Sequence, residues 1–125
     1  MIAVDTSSMV AYLRGDEGPD TVAVDEALAA SQACLPPAVL AELLSDPRLP
    51  VRVRELLKQI PLLAVGEEYW ERVGLLRARV IARGRKARLA DSLVAQSCLD
   101  HDLPLITRDT DFRNFARSAG LRLLP

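Results

Sequence analysis

Short apolar runs alternate with longer stretches of helical periodicity along this chain, and that alternation predicts an α/β fold. Residues 1–4 (MIAV) form an apolar run ending at Asp5, after which Thr6, Ser7 and Ser8 supply helix-start residues. Met9, Val10, Tyr12 and Leu13 then recur at helical spacing up to Gly15. After the turn RGDEGPD, residues 21–30 read as a helix on Val22, Val24, Ala27 and Leu28, and residues 33–35 as a very short strand. Pro36 and Pro37 suit a helix entry. The helix over residues 38–44 carries Val39, Leu40, Leu43 and Leu44 and is ended by Asp46 and Pro47.

Residues 51–60 predict a further helix stopped by Pro61, and residues 62–65 (LLAV) a third strand. A long helix follows over residues 67–82 on Tyr69, Trp70, Val73, Leu76 and Val80, closed by Gly84. Residues 89–99 read as a helix with Leu89, Leu93, Val94 and Cys98 on its inner face, ending in a polar DHD turn. A strand over 103–106, a helix over 111–118, a turn at Gly120 and a terminal strand over 121–124 complete the chain. Strands alternating with helices imply crossover connections, hence a central, mainly parallel sheet of four to five short strands between two helical layers. The 125 residues suit a single domain spanning 1–125, with no internal repeat or linker.

Composition narrows the chemistry. No apolar run approaches the roughly 20 residues of a membrane span, and MIAVD lacks a charged leader segment, so a soluble cytoplasmic protein without a membrane partner is expected. Cys34 and Cys98 are isolated and read as small core residues. The single histidine, His101, lies in the DHD turn, which argues against a His-centred triad or a His-rich metal site. Any chemistry must therefore run largely on carboxylates. Charge is unevenly distributed: residues 1–70 hold 5 Lys/Arg against 11 Asp/Glu, and residues 71–125 hold 11 against 6. The segment RARVIARGRKAR concentrates Arg77, Arg79, Arg83, Arg85, Lys86 and Arg88 without an acid, either as a phosphate-neutralising stripe or as a solvated helix face and basic loop.

The stretch LPLITRDTDF places Thr107, Asp109 and Asp111 just beyond a strand's carboxyl end, where ligands bind in open parallel sheets. Asp5 occupies the same position after the first strand, so the sheet can bring these distant acids together. Alone, Asp109 or Asp111 also reads as a helix cap. Glu42, within AVLAELL, falls on the shoulder of its helix's buried stripe, or is simply exposed. Asp91 lies on or beside the apolar face of its helix, or caps a helix starting at Ser92. If Asp5, Glu42, Asp91 and Asp109 converge, like charges about 4 Å apart repel by roughly 4 kcal/mol per pair and favour a bound cation. Oxygen-only donors select Mg²⁺ or Mn²⁺, ions that activate water and neutralise phosphoryl oxygens. Thr6, Ser7 and Thr107 can orient those carboxylates, although hydroxyls are also common in turns.

Taken in order, IAVDTSSMVAYL, AELL, LADSLVAQSCL and LPLITRDTDF resemble the PIN-domain family, specifically the VapC-type toxins of bacterial toxin–antitoxin pairs, over nearly the whole chain. The resemblance implies a PIN-like α/β/α sandwich and a Mg²⁺-dependent endoribonuclease, with Mn²⁺ as a substitute ion. It matches Asp5, Glu42, Asp91 and Asp109 to the acidic quartet and Asp111 to a less regular fifth acid. Metal contact is expected chiefly from Asp5, Asp91 and Asp109, and RNA contact from Arg83, Arg85, Lys86 and Arg88. The resemblance also implies a homodimer and inhibition by an antitoxin, which Met9, Tyr12 and Leu13 can contact if they do not merely fill the core. A response-regulator receiver is disfavoured because one acid, not two, ends the first strand and no Lys follows the last. A haloacid-dehalogenase-type phosphatase would place an acid where Ser7 stands. A catalytically silent RNA-binding or interaction module with the same fold is the alternative from another class.

Overall fold

In the computed structural model, which describes residues 1–124, apolar segments of two or three residues assemble into a parallel sheet at the centre of the chain. The elements are β1 (Ile2–Val4), α1 (Thr6–Arg14), α2 (Pro19–Ala29), β2 (Ala33–Cys34), α3 (Pro37–Leu44), α4 (Val51–Gln59), α5 (Tyr69–Ala82), α6 (Leu89–Asp100), β3 (Leu105–Ile106), a 3₁₀ turn (Thr110–Phe112), α7 (Arg113–Ala119) and β4 (Leu123–Leu124). The sheet order is β2-β1-β3-β4 with every pairing parallel, and Ala3 lies between Cys34 and Leu105. Parallel strands expose both faces, so each needs a helical cover. Helices α1, α2 and α3 pack together, α6 packs against α3 and α5, and α7 packs against α5. This is the α/β/α arrangement that the alternation of elements predicts.

Burial follows the strands and the inward faces of the helices. Val4, Leu105, Ile106, Phe112 and Phe115 are fully buried together with Met9, Val24, Val39, Val80 and Val94. Cys34 and Cys98 are free and buried, as expected of small core residues, and burial pushes the Cys98 thiol up to about 12. The polar residues inside α6 are tolerated because each has a partner. Ser92 donates to the Arg88 carbonyl, Gln96 to Asp100, and Ser97 shares a hydrogen bond with the Tyr69 hydroxyl.

Several sequence expectations need correction. Residues 62–65 are not a strand: only Leu62 forms a bridge, to Leu35, and Leu62 and Val65 are exposed. Only Leu63 of this run packs against the core, so the other residues gain little burial from extending the sheet. The long helix begins at Tyr69 rather than residue 67, because Glu68 adopts a left-handed conformation, φ 60°. Leu89 is exposed instead of facing inward, so the buried stripe of α6 runs through Ser92 and Val94 to Cys98. Val22 is likewise exposed on α2. The expected helix over 111–118 splits into the 3₁₀ turn and α7. Among the described residues no helix is long and apolar enough to cross a membrane.

Candidate active site

The acidic site forms where β1 and β3 end side by side. The Asp5 amide donates to the Ile106 carbonyl (2.9 Å), extending the pairing one residue past β1 and, in the Val4–Ile106 register, setting Asp5 beside Thr107. Asp5 is 5% exposed, and its Oδ2 accepts hydrogen bonds from Ser7 Oγ (2.8 Å) and Thr107 Oγ1 (2.9 Å). Burial raises the Asp5 pKa, opposed by these hydrogen bonds. A relay continues from that carboxylate. Thr107 Oγ1 accepts from the Asp109 amide (3.0 Å), and Asp109 Oδ1 accepts from the Asp111 amide (2.9 Å). Asp109 thus caps the 3₁₀ turn and belongs to the site at once, so its two sequence readings are compatible.

The fold brings carboxylate oxygens of Asp91, Asp109 and Asp111 within 4.8 Å of one another. Asp91 does not cap its helix, since α6 starts at Leu89 and Asp91 stands in the first turn. Its carboxyl is pushed up to about 6, first by burial, then by repulsion from Asp109 and Asp5, with Arg88 opposing and Asp111 adding to the rise. Asp5 lies outside the three-residue cluster but within its electrostatic reach. Of the residues expected at a metal, Asp91 and Asp109 lie in this cluster and Asp5 beside it, while Asp111, expected only as an additional acid, is the cluster's third member. Glu42 is exposed and accepts from Thr6 Oγ1 (2.9 Å). It needs no compensation for burial, and Thr6, next to Asp5, ties it to the rim.

Lys86 Nζ lies 3.2 Å from Asp111 Oδ2. Its loop is held by two side chains: Asn114 Nδ2 donates to the Lys86 carbonyl (3.0 Å), and Arg77 Nε donates to the Ala87 carbonyl (2.8 Å). Of the four basic residues expected at RNA, Lys86 pairs with the cluster, Arg88 acts on Asp91 through its charge, and exposed Arg83 and Arg85 form no ion pair among the described residues. Sequence reading missed the pairing of Arg108 with Asp20, which turns the Arg108 guanidinium away from the acids that flank it in the chain. The available signal was an Arg between Thr107 and Asp109 together with an acid at a helix start.

Chemically, three clustered carboxylates offering only oxygen, one of them resisting ionisation, fit a hard divalent cation such as Mg²⁺ or Mn²⁺. Asp91, Asp109 and Asp111 are the residues placed to hold it, with Asp5 adjoining.

Comparisons with known proteins agree with this architecture. The chain aligns over 99–100% of its length with three solved structures: FitAcB from Neisseria gonorrhoeae (24% identity, TM-score 0.75, 97% of that chain), VapBC2 from Rickettsia felis bound to a promoter DNA fragment (21%, 0.72, 98%) and VapBC-1 from nontypeable Haemophilus influenzae (20%, 0.76, 97%). No curated protein matches the sequence. The sequence profile of the PIN domain matches residues 2–118, nearly the whole chain, and with the parallel sheet and the acids at its carboxyl edge, the chain belongs to the PIN domain family.

Proposed function

We propose that this PIN domain is a Mg²⁺-dependent endoribonuclease, with Mn²⁺ able to substitute, acting in the cytoplasm as the toxin of a toxin–antitoxin pair. The observation that carries the reading is the approach of the Asp91, Asp109 and Asp111 carboxylates to within 4.8 Å beside the buried Asp5. A divalent ion bound there supplies activation of water and neutralisation of the phosphoryl oxygens. The protein's own part is orientation. Ser7 and Thr107 lock the Asp5 carboxylate, the Thr107–Asp109–Asp111 relay fixes the turn, and Glu42 is held at the rim by Thr6. Arg83, Arg85, Lys86 and Arg88, on the loop beside the cluster, are assigned to the RNA backbone, where cations displace counterions from phosphates.

The toxin assignment draws on the solved neighbours, which are VapBC and FitAB assemblies. It also has a physical counterpart here. An apolar groove of about 600 Å³ runs between α1, α2 and α4, lined by Met9, Tyr12, Leu13, Leu28, Leu56 and Ile60 among others. Leu13 and Leu56 are exposed within it, a surface suited to an antitoxin segment. Met9 itself is buried, so it serves both the core and the groove floor. Homodimerisation belongs to the same proposal, and Leu75 on α5 and Leu89 on α6 offer exposed apolar surface for it.

The test is cleavage of total cellular RNA by the purified chain freed of antitoxin. Discrete fragments should appear with Mg²⁺ and vanish with EDTA. Asp5→Asn should lower the rate by at least about 100-fold while the circular dichroism spectrum is kept. Cleavage that persists in EDTA, or in folded Asp5→Asn, would exclude the metal-nuclease reading. The silent RNA-binding or interaction module would take its place if the folded chain binds RNA without cutting it.

A further inference from the structure

Arg108 sits between Thr107 and Asp109, yet its side chain leaves the acidic cluster for the start of α2. There its guanidinium forks onto Asp20, with Nε 2.8 Å from Oδ2 and Nη2 2.9 Å from Oδ1. Asp20 is 5% exposed, and its Oδ2 also accepts from the fully buried Ser8 hydroxyl at 2.9 Å. A planar two-point pair of this kind fixes direction as well as distance. The neighbouring backbone is shaped to admit it. Gly18 has φ 153°, and a Cβ there would lie 2.7 Å from Asp20 Oδ1 and 3.2 Å from Arg108 Nη2, so only glycine leaves room for the fork. The Arg108 amide also donates to Ser7 Oγ (3.3 Å), the hydroxyl that holds Asp5.

We propose that Asp20 and Arg108 are positioning residues for the acidic site: their fork, seated on Gly18 and Ser8, fixes the segment 107–109 and so sets where Asp109 and Asp111 stand relative to Asp91. The proposal rests on the metal-binding reading of that cluster for its functional consequence, but its structural content is independent of any ion. Arg108 has Thr107 and Asp109 as its chain neighbours, and those two residues carry the relay to Asp5 and Asp111. Anchoring Arg108 to a different part of the fold, the first turn of α2, removes the freedom the loop would otherwise keep between β3 and the 3₁₀ turn. Loops gain precision when supporting contacts lock their reactive side chains.

Two readouts test this on the whole chain: amide hydrogen exchange at Asp109 and Asp111, without metal, and the affinity for Mn²⁺ alone measured by calorimetry. Arg108→Met removes the fork and keeps the stem, whereas Arg108→Lys keeps the charge opposite Asp20 and loses the second contact. Both amides should exchange roughly tenfold faster in Arg108→Met and by a smaller factor in Arg108→Lys. Mn²⁺ affinity should fall about 10-fold or more in Arg108→Met. Leu57→Ala, a core truncation in α4, controls for general destabilisation and should leave both readouts unchanged once its lower stability is matched in temperature. Unchanged amide exchange in both Arg108 variants would overturn the proposal, as would an equal increase in Leu57→Ala. Faster exchange in a chain whose parent binds no Mn²⁺ would uphold the positioning role and defeat the metal reading instead. If Arg108→Met does not fold, Arg108→Lys alone decides through the same amides.

Discussion

Asp91→Asn should make the metal-free chain more stable at pH 7 while cutting Mg²⁺-dependent RNA cleavage roughly 10²- to 10³-fold. The folded protein holds the Asp91 carboxyl at about 6, against 3.8 for the free group, because burial and the charges of Asp109 and Asp5 disfavour ionisation. Between those two values the folded state binds more protons than the unfolded state, so stability falls as pH rises from about 4 to about 6 and stays low above it. A shift of that size corresponds to about 3 kcal/mol, which solvent access to this half-buried side chain lowers. Asn also gives up a favourable acid in the first turn of α6, about 0.5 kcal/mol. The net gain expected for Asp91→Asn at pH 7 is about 1 to 2 kcal/mol, and at pH 4 it should vanish.

Saturating Mg²⁺ should reverse the order. Only the unsubstituted chain gains from binding, by about 2.7 kcal/mol at an ion concentration 100 times Kd. Urea unfolding at pH 4, 5.5 and 7, with and without Mg²⁺, separates the cases. An Asn variant no more stable than its parent at pH 7 without metal would show that the cluster is not strained by its own charge.

The elements that sequence pattern located well are those whose pattern is enforced by burial on both sides. Ile2–Val4 and Leu105–Ile106 are central in the sheet, and a short apolar run bounded by polar residues is all such a strand can be. Residues 62–65 have the same composition but sit at the margin, where whether a layer covers them is decided by the rest of the fold. Composition does not carry that information. Leu89 misled for a related reason. It lies four residues before Leu93, as an inner-face residue should, but it is the opening residue of α6 and stays exposed, while Ser92 in the same turn is buried.

The site shows the same division. Asp5 and Asp109 could be singled out because each lies at or just past the carboxyl end of a strand, and Asp91 because it falls on or beside the apolar face of its helix, where an uncompensated carboxylate is costly. Convergence on Asp111 and the pull of Lys86 depend on how the 3₁₀ turn and the 84–88 loop meet, with Asn114 and Arg77 as the ties, and these contacts span sequence separations that no local pattern encodes. Asp20 was hidden in what reads as a solvent-exposed turn. Its burial is possible only because Arg108, 88 residues away, brings the opposite charge, and an unpaired carboxylate there would be costly.

Phe112→Ala should destabilise the chain by about 3 to 5 kcal/mol, the largest effect expected of a single truncation here. Phe112 is fully buried, closes the 3₁₀ turn that begins after Asp109, and packs in a tilted pair with Phe115 at 5.9 Å between ring centroids. A domain of this length is typically stable by about 6 to 19 kcal/mol, so the variant should still fold at 25 °C with its Tm lowered by roughly 10 to 20 °C. Phe112→Leu keeps most of the volume and should cost only about 1 to 1.5 kcal/mol. The two variants separate stability from site geometry. The Phe112 amide donates to the Asp109 carbonyl at 3.3 Å, and its fully buried ring ties the turn that carries the two acids to the core. Under conditions where both variants are fully folded, Phe112→Ala should weaken Mn²⁺ binding because the turn loses its anchor, and Phe112→Leu should not. Thermal unfolding and a Mn²⁺ titration measure the two effects separately. A Phe112→Ala loss below about 1.5 kcal/mol would mean that the core collapses around the missing ring, and Mn²⁺ affinity unchanged by that variant would mean that the hydrogen-bond relay from Asp5 through Thr107 holds the turn without it.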